Sequence, residues 1–200
     1  MFRAFAFLFK AYRTWVAGVA GYLIGSWMVR HSARRASASG NGAGPDGVGR
    51  PLSAAFVAGE VVKGAAGARA GHIIGGDAGG YAAAIGVVAG QCFPAFADFR
   101  GGKSIGTAAG TALVCFPAGL PVVGGLAALA WAKLRRPDTV VAVAGGAFAL
   151  ASALWWLAGL PAGRGRKASG GLAVYALVSS ALVAWQWLAK GRGNTGGVEG

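Results

Sequence analysis

Apolar residues fill this chain in long stretches, and the polar residues that interrupt them come in short groups. A bilayer crossing needs about 20 mostly apolar residues, fewer where a helix is short or partly sunk in the bundle. Stretches of that kind cover 14–29, 52–70, 79–97, 105–118, a segment ending at Leu134, 139–159 and 171–188. The pattern predicts an all-α, polytopic membrane protein with about seven transmembrane helices and short glycine-rich loops. Pro117 and Pro121 mark a kink or turn between the fourth and fifth helices. The 52–70 segment stands apart because it carries Glu60 and Lys63 in otherwise apolar sequence.

Composition agrees with this reading. Charged residues make up 12% of the chain and hydrophobic residues 55%, whereas a soluble domain carries about 25% charged residues. Mean hydropathy is +0.54. Most of the 37 glycines sit inside apolar runs among Ala, Val and Leu, as small residues do where membrane helices pack closely. The 200 residues leave room for one compact bundle, and the expectation is a single integral membrane domain over 1–200 without a separate soluble part. Arg3, Lys10 and Arg13 ahead of 18–29 resemble a signal peptide. Because apolar sequence continues along the whole chain, that segment reads as the first membrane helix instead.

The net charge is +13. Its 19 cations cluster between apolar runs and form no continuous basic face, which fits loops against anionic lipid and excludes a nucleic-acid partner. Seven helices put the termini on opposite faces. The face with loops 30–50, 98–104, 133–138 and the C-terminus carries eleven cations against at most seven on the other, Arg164, Arg166 and Lys167 among the latter. This predicts a multi-pass protein of the inner (plasma) membrane with that C-terminal face cytoplasmic. Cys92 and Cys115 lie in apolar sequence without metal-ligand spacing and read as packed thiols, with no metal or cofactor expected.

Three features converge on the predicted cytoplasmic face. Between Phe99 and the apolar run that resumes at Ile105 stand Arg100, Gly101, Gly102, Lys103 and Ser104. Paired glycines between two cations expose backbone N–H groups beside fixed positive charge, a combination suited to phosphate. Ordinary anchoring by positive loops explains Arg100 and Lys103 but leaves the glycine pair unexplained. The second feature is Ser39, Gly40 and Asn41, followed by Gly42, Ala43 and Gly44: a loop permitting close backbone approach with two hydrogen-bonding side chains, or simply a flexible connection. The third is Glu60 with Lys63, three apart on one helical face, either turned toward a polar interior or forming a structural ion pair at the membrane interface. Trp155, Trp156, Trp185 and Trp187 read as interface anchors or packing residues.

Taken in order, these motifs resemble the acyl-phosphate:glycerol-3-phosphate acyltransferases, the PlsY family of small integral membrane enzymes. The family's opening Gly-Tyr-Leu-Ile-Gly sequence is matched by Gly21 to Gly25, and its Gly-Ser-Gly-Asn loop by Ser39, Gly40 and Asn41, with Ala38 in place of the first glycine. Its Asp-x-x-Lys-Gly element corresponds to Glu60, Lys63 and Gly64. Its Gly-His-x-Phe-Pro and Phe-Lys-Gly-Gly-Lys-Gly motifs correspond to Gly90, Gln91, Phe93 and Pro94, then Phe99 to Ser104. The family's tail is echoed by Arg192, Asn194, Gly197 and Glu199.

The resemblance implies transfer of a fatty acyl group from acyl-phosphate to the 1-hydroxyl of glycerol 3-phosphate, giving lysophosphatidic acid and phosphate at a membrane-lipid surface. It implies catalytic parts for Lys103, Ser39 and Asn41. Phosphate would be bound by Ser39, Gly40, Asn41, Lys63, Arg100, Gly101, Gly102, Lys103, Ser104 and Asn194. Backbone N–H groups or Lys103 would stabilise the negative charge that develops on the attacked carbonyl, and the substrate's own phosphate would take the hydroxyl proton. This chain departs from the pattern at Gln91 and Gly191, where the family has histidines, and at Pro45 and Asp46, where Thr and Asn are usual. Its histidines are His31, in the basic loop, and His72, near the opposite face, so imidazole acid–base catalysis is not expected. Two rival readings follow: a relative that binds phosphorylated ligand or lipid without transfer, motivated by the lost histidines, and a small channel or transporter, motivated by Glu60 and Lys63 within one span.

Overall fold

A computed structural model describes residues 2–38, 50–96, 99, 104–163 and 165–193, with side chains described for 5, 7–27, 57–96, 99, 104–163 and 165–188. The helices are α1 (Phe2–Ala38), α2 (Arg50–Cys92), α3 (Ile105–Cys115), α4 (Leu120–Leu134), α5 (Pro137–Leu157) and α6 (Gly170–Gly193). A 3₁₀ turn, Pro117–Gly119, leads into α4, and two short antiparallel strands, β1 (Pro161–Gly163) and β2 (Arg166–Lys167), separate α5 from α6. The chain forms two compact units, Met1–Val114 and Cys115–Gly200.

In the first unit α2 breaks at Gly75 and Gly76 and folds back on itself. Gly76 has φ 63° and ψ −152°, a conformation that side-chain-bearing residues avoid. The two arms then pair at four-residue steps. A Cβ on Gly71 would come 2.5 Å from the Gly79 carbonyl oxygen, Gly67 faces Val87, and Lys63 reaches Gln91. At the turn, His72 packs edge-on against Tyr81 with ring centroids 6.1 Å apart, and its Nδ1 lies 3.4 Å from Asp77. Arg13 of α1 donates from Nε to the carbonyl of Ile74, where the helix ends and its carbonyls lack in-helix partners.

Small residues set how closely the helices lie. A Cβ at Gly21 or Gly25 of α1 would come 2.3 Å from the carbonyl oxygens of Ala83 and Val87. On the other arm, a Cβ at Gly64 would lie 2.2 Å from the Thr107 carbonyl oxygen, and one at Gly110 2.0 Å from that of Val61. Backbone-to-backbone contact of this kind replaces the hydrophobic drive that a lipid solvent removes.

The second unit rests on an aromatic cluster. Phe116 packs against Phe148 and Trp155 at centroid distances of 6.1 and 5.6 Å, and Phe148 meets Tyr175 edge-on at 5.7 Å. The Ser180 hydroxyl of α6 donates to the Gly145 carbonyl of α5 at 3.0 Å. Trp155 is therefore a packing residue, while Trp156 and Trp185 are exposed.

The all-α fold agrees with the sequence pattern, and its boundaries differ for local reasons. Helix α1 runs well beyond 14–29 at both ends, and the polar segment after Arg30 stays helical to Ala38. That segment has neither Gly nor Pro, and its Ala and Arg residues favour helix. The segment expected to reach residue 97 ends at Cys92, because Pro94 supplies no N–H and disfavours helix at Phe93. Pro117 acts similarly on Phe116, whose φ and ψ are −145° and 60°, so α3 stops at Cys115 and not at 118. Among the described residues, four stretches have the length and apolarity to cross a membrane: Val57–Cys92, Pro117–Leu134, Pro137–Leu157 and Gly170–Leu188. The 11-residue α3 spans only about 16 Å, short of the ~30 Å hydrocarbon core.

Close approach makes a testable distinction between glycines. Gly110→Ala is expected to lower the thermal midpoint in detergent sharply, since the added carbon meets backbone. Gly146→Ala in α5, where nothing lies within 4 Å, is expected to be neutral or to stabilise by about 0.5–1 kcal/mol. Equal shifts in the two variants would contradict the packing role assigned to Gly110.

Candidate active site

The first arm of α2 buries two opposite charges one helical turn apart, with Glu60 7% and Lys63 4% exposed. Lys63 Nζ donates to Glu60 Oε1 at 3.0 Å and also to Oε1 of Gln91 at the end of the second arm. The other carboxylate oxygen, Oε2, accepts from Thr107 Oγ1 of α3 at 2.5 Å. One buried ion pair thus ties three helical segments together. An ionised lysine within a membrane helix is unfavourable, by up to roughly 2.5–3.5 kcal/mol on lenient scales. Glu60 and Gln91 offset that cost by neutralising and solvating the ammonium in place of water.

A second contact lies on the same two elements. Ser104 is fully buried, its hydroxyl is 3.1 Å from Cys92 Sγ, and its carbonyl accepts the Ala108 N–H at 2.9 Å as α3 begins. Ser104, just ahead of α3, therefore stands against Cys92, the neighbour of Gln91 at the end of the second arm. On the α1 side, the Tyr22 hydroxyl donates to the Phe93 carbonyl at 2.8 Å and Ser26 to that of Gly90 at 3.5 Å. These bonds hold the end of the arm where helix geometry stops.

The residues expected at the site divide accordingly. Lys63 and Ser104 are placed as described, Lys63 in the ion-pair cluster and Ser104 in contact with Cys92. Ser39, Gly40, Asn41, Arg100, Gly101, Gly102, Lys103 and Asn194 lie outside the described residues. Cys92 and Cys115 are both buried. His72 belongs to the α2 turn, beside Tyr81 and Asp77.

Sequence reasoning missed two partners. In sequence Gln91 stands out only as a departure from a motif, yet it accepts directly from Lys63. Placing the turn at Gly75–Gly76 would have revealed it, since four-residue steps from Gly71 and Ala83 lead to Lys63 and Gln91. Thr107 is 47 residues from Glu60, and no local pattern announces that bond.

Comparison with known proteins bears on what such a bundle is. The family model for glycerol-3-phosphate acyltransferase matches residues 15–192. The chain belongs to the glycerol-3-phosphate acyltransferase family. It is 40% identical over 87 residues to a glycerol-3-phosphate acyltransferase of Maricaulis maris (strain MCS10), which is 43% of this chain and 39% of that relative's length. It also resembles crystal structures of PlsY (YgiH), an integral membrane glycerol 3-phosphate acyltransferase. Against the lysophosphatidic acid form the TM-score is 0.66 at 21% identity, covering 92% of both chains. Against the glycerol 3-phosphate form it is 0.62 at 18% identity, covering 94% of this chain and 92% of the other. At these identities the likeness establishes the integral membrane fold.

As a family member with a buried pair, this protein should obey a simple asymmetry. Glu60→Met or Lys63→Met alone leaves one charge uncompensated, a loss of about 3–5 kcal/mol. The double variant removes both charges and is expected to retain more folded protein in detergent than either single variant. Gel-filtration recovery checks this; a double variant worse than both singles would rule out the pairing as drawn.

Proposed function

We propose that this protein transfers a fatty acyl group from acyl-phosphate to the 1-hydroxyl of glycerol 3-phosphate, releasing phosphate and forming lysophosphatidic acid for phospholipid synthesis. The observation that carries the proposal is the Lys63 ammonium, buried among apolar helices and held by Glu60 and Gln91. A charge kept there suits an anionic ligand that meets the bilayer, and family membership supports a phosphorylated one. Lys63 would bind phosphate together with Ser39, Gly40, Asn41, Arg100, Gly101, Gly102, Lys103, Ser104 and Asn194. Lys103 and the glycine N–H groups beside it would stabilise the charge that develops on the attacked carbonyl. Ser39 and Asn41 would orient the acceptor hydroxyl, and the departing phosphate would take its proton. The whole chain would act as one acyltransferase domain in the inner (plasma) membrane with its site on the cytoplasmic face, the acyl chain remaining among lipids.

Gln91 favours a second reading, ligand binding without transfer, because an amide stands where the family has an imidazole. An amide neither gives nor takes a proton at neutral pH. The route above moves its proton through phosphate and needs none from that position.

Purified protein in lipid is expected to release phosphate from palmitoyl-phosphate only when glycerol 3-phosphate is present, and Lys103→Ala is expected to abolish that release while the protein stays inserted and folded. Folded wild-type protein that releases none would favour binding without transfer.

A further inference from the structure

Thr107 is fully buried in the first turn of α3, yet its hydroxyl behaves unlike several others on helices of this protein. Those of Thr14, Thr111 and Ser152 bond back to carbonyls three or four residues earlier in their own helices, at 2.8–3.0 Å. Thr107 instead donates across to Glu60 Oε2 at 2.5 Å, a short charge-assisted bond. With Oε1 already on Lys63 at 3.0 Å, both carboxylate oxygens are engaged and the group is fixed in rotation. The donor is itself fixed, because α3 lies so close to α2 that a Cβ at Gly64 would come 2.2 Å from the Thr107 carbonyl oxygen. Ser104, one turn earlier, is anchored against Cys92, the neighbour of Gln91.

We propose that Thr107 is a positioning residue for substrate phosphate. By holding Glu60 Oε2 it keeps the carboxylate from taking the ammonium with both oxygens, so that Lys63 remains extended between Glu60 and Gln91. The first turn of α3 thereby sets where the Lys63 charge stands. This rests on the acyltransferase reading above.

The test compares Thr107→Val, which keeps the shape and removes the donor, with Thr107→Ser, which restores it, and Thr107→Cys, a weak donor. Each variant, in lipid, is assayed for glycerol 3-phosphate dependence of phosphate release from palmitoyl-phosphate, and for glycerol 3-phosphate binding by calorimetry. Thr107→Val is expected to raise KM and Kd about tenfold while kcat stays within about twofold, as when binding common to ground and transition states is lost. Ser should return both constants to near wild type, and Cys should fall between. If the valine variant does not fold, higher KM and Kd in Cys than in Ser decide in favour. A lower thermal midpoint with unchanged KM and Kd would overturn the proposal and leave Thr107 a purely structural residue. Wild-type protein that binds without releasing phosphate would count against transfer alone, with the affinity series still deciding for or against Thr107. Wild-type protein that neither binds nor turns over would overturn both.

Discussion

An ammonium ion buried among apolar helices has to be neutralised and hydrogen-bonded, because neither water nor lipid can do it. Much of the first unit is arranged around meeting that requirement at Lys63. Its partners come from three places: Glu60 from one turn earlier on the same arm, Gln91 from the returning arm, and, through Glu60, Thr107 from α3. Any displacement of one segment leaves a charge or a polar group unsatisfied in a low-dielectric interior. Charge satisfaction therefore fixes register more strongly than apolar packing between interchangeable Ala and Val side chains would.

Glycine makes that geometry reachable. Close backbone approach fixes where the Glu, Lys and Gln side chains meet and leaves no room for water between the helices. Gly71 between the two arms of α2, and Gly64 and Gly110 between α2 and α3, set this spacing, each standing where a single added carbon would strike a neighbouring carbonyl oxygen. The turn at Gly75–Gly76 supplies the remaining condition by laying the second arm of α2 against the first. Polar function and small-residue packing are consequences of one another here: the glycines bring the charges together, and the charges reward the exact depth at which the helices settle.

The sequence made the fold class legible because hydropathy responds directly to a membrane interior, and the helices fall where the apolar stretches lie. Boundaries were less legible where local chemistry overrode hydropathy. The Arg- and Ala-containing segment after Arg30 is polar, yet it remains helical to Ala38, and Pro94 ends a helix whose apolar sequence continues past it. At the site, Glu60 and Lys63 could be picked out as a pair because three-residue spacing is a local signal. Gln91 and Thr107 could not, since their roles arise from a hairpin and from a contact 47 residues away.

The most direct measurement of whether this cluster exists to receive a phosphorylated substrate is thermal unfolding in detergent with and without glycerol 3-phosphate, for wild-type protein and for Glu60→Met/Lys63→Met. A ligand bound only by the folded state stabilises it by about 2.7 kcal/mol at a hundredfold excess over Kd. The wild-type midpoint is expected to rise with glycerol 3-phosphate and that of the double variant to stay where it was. An equal rise in both proteins would show that the ligand does not depend on the buried pair, and would contradict its assignment to substrate binding.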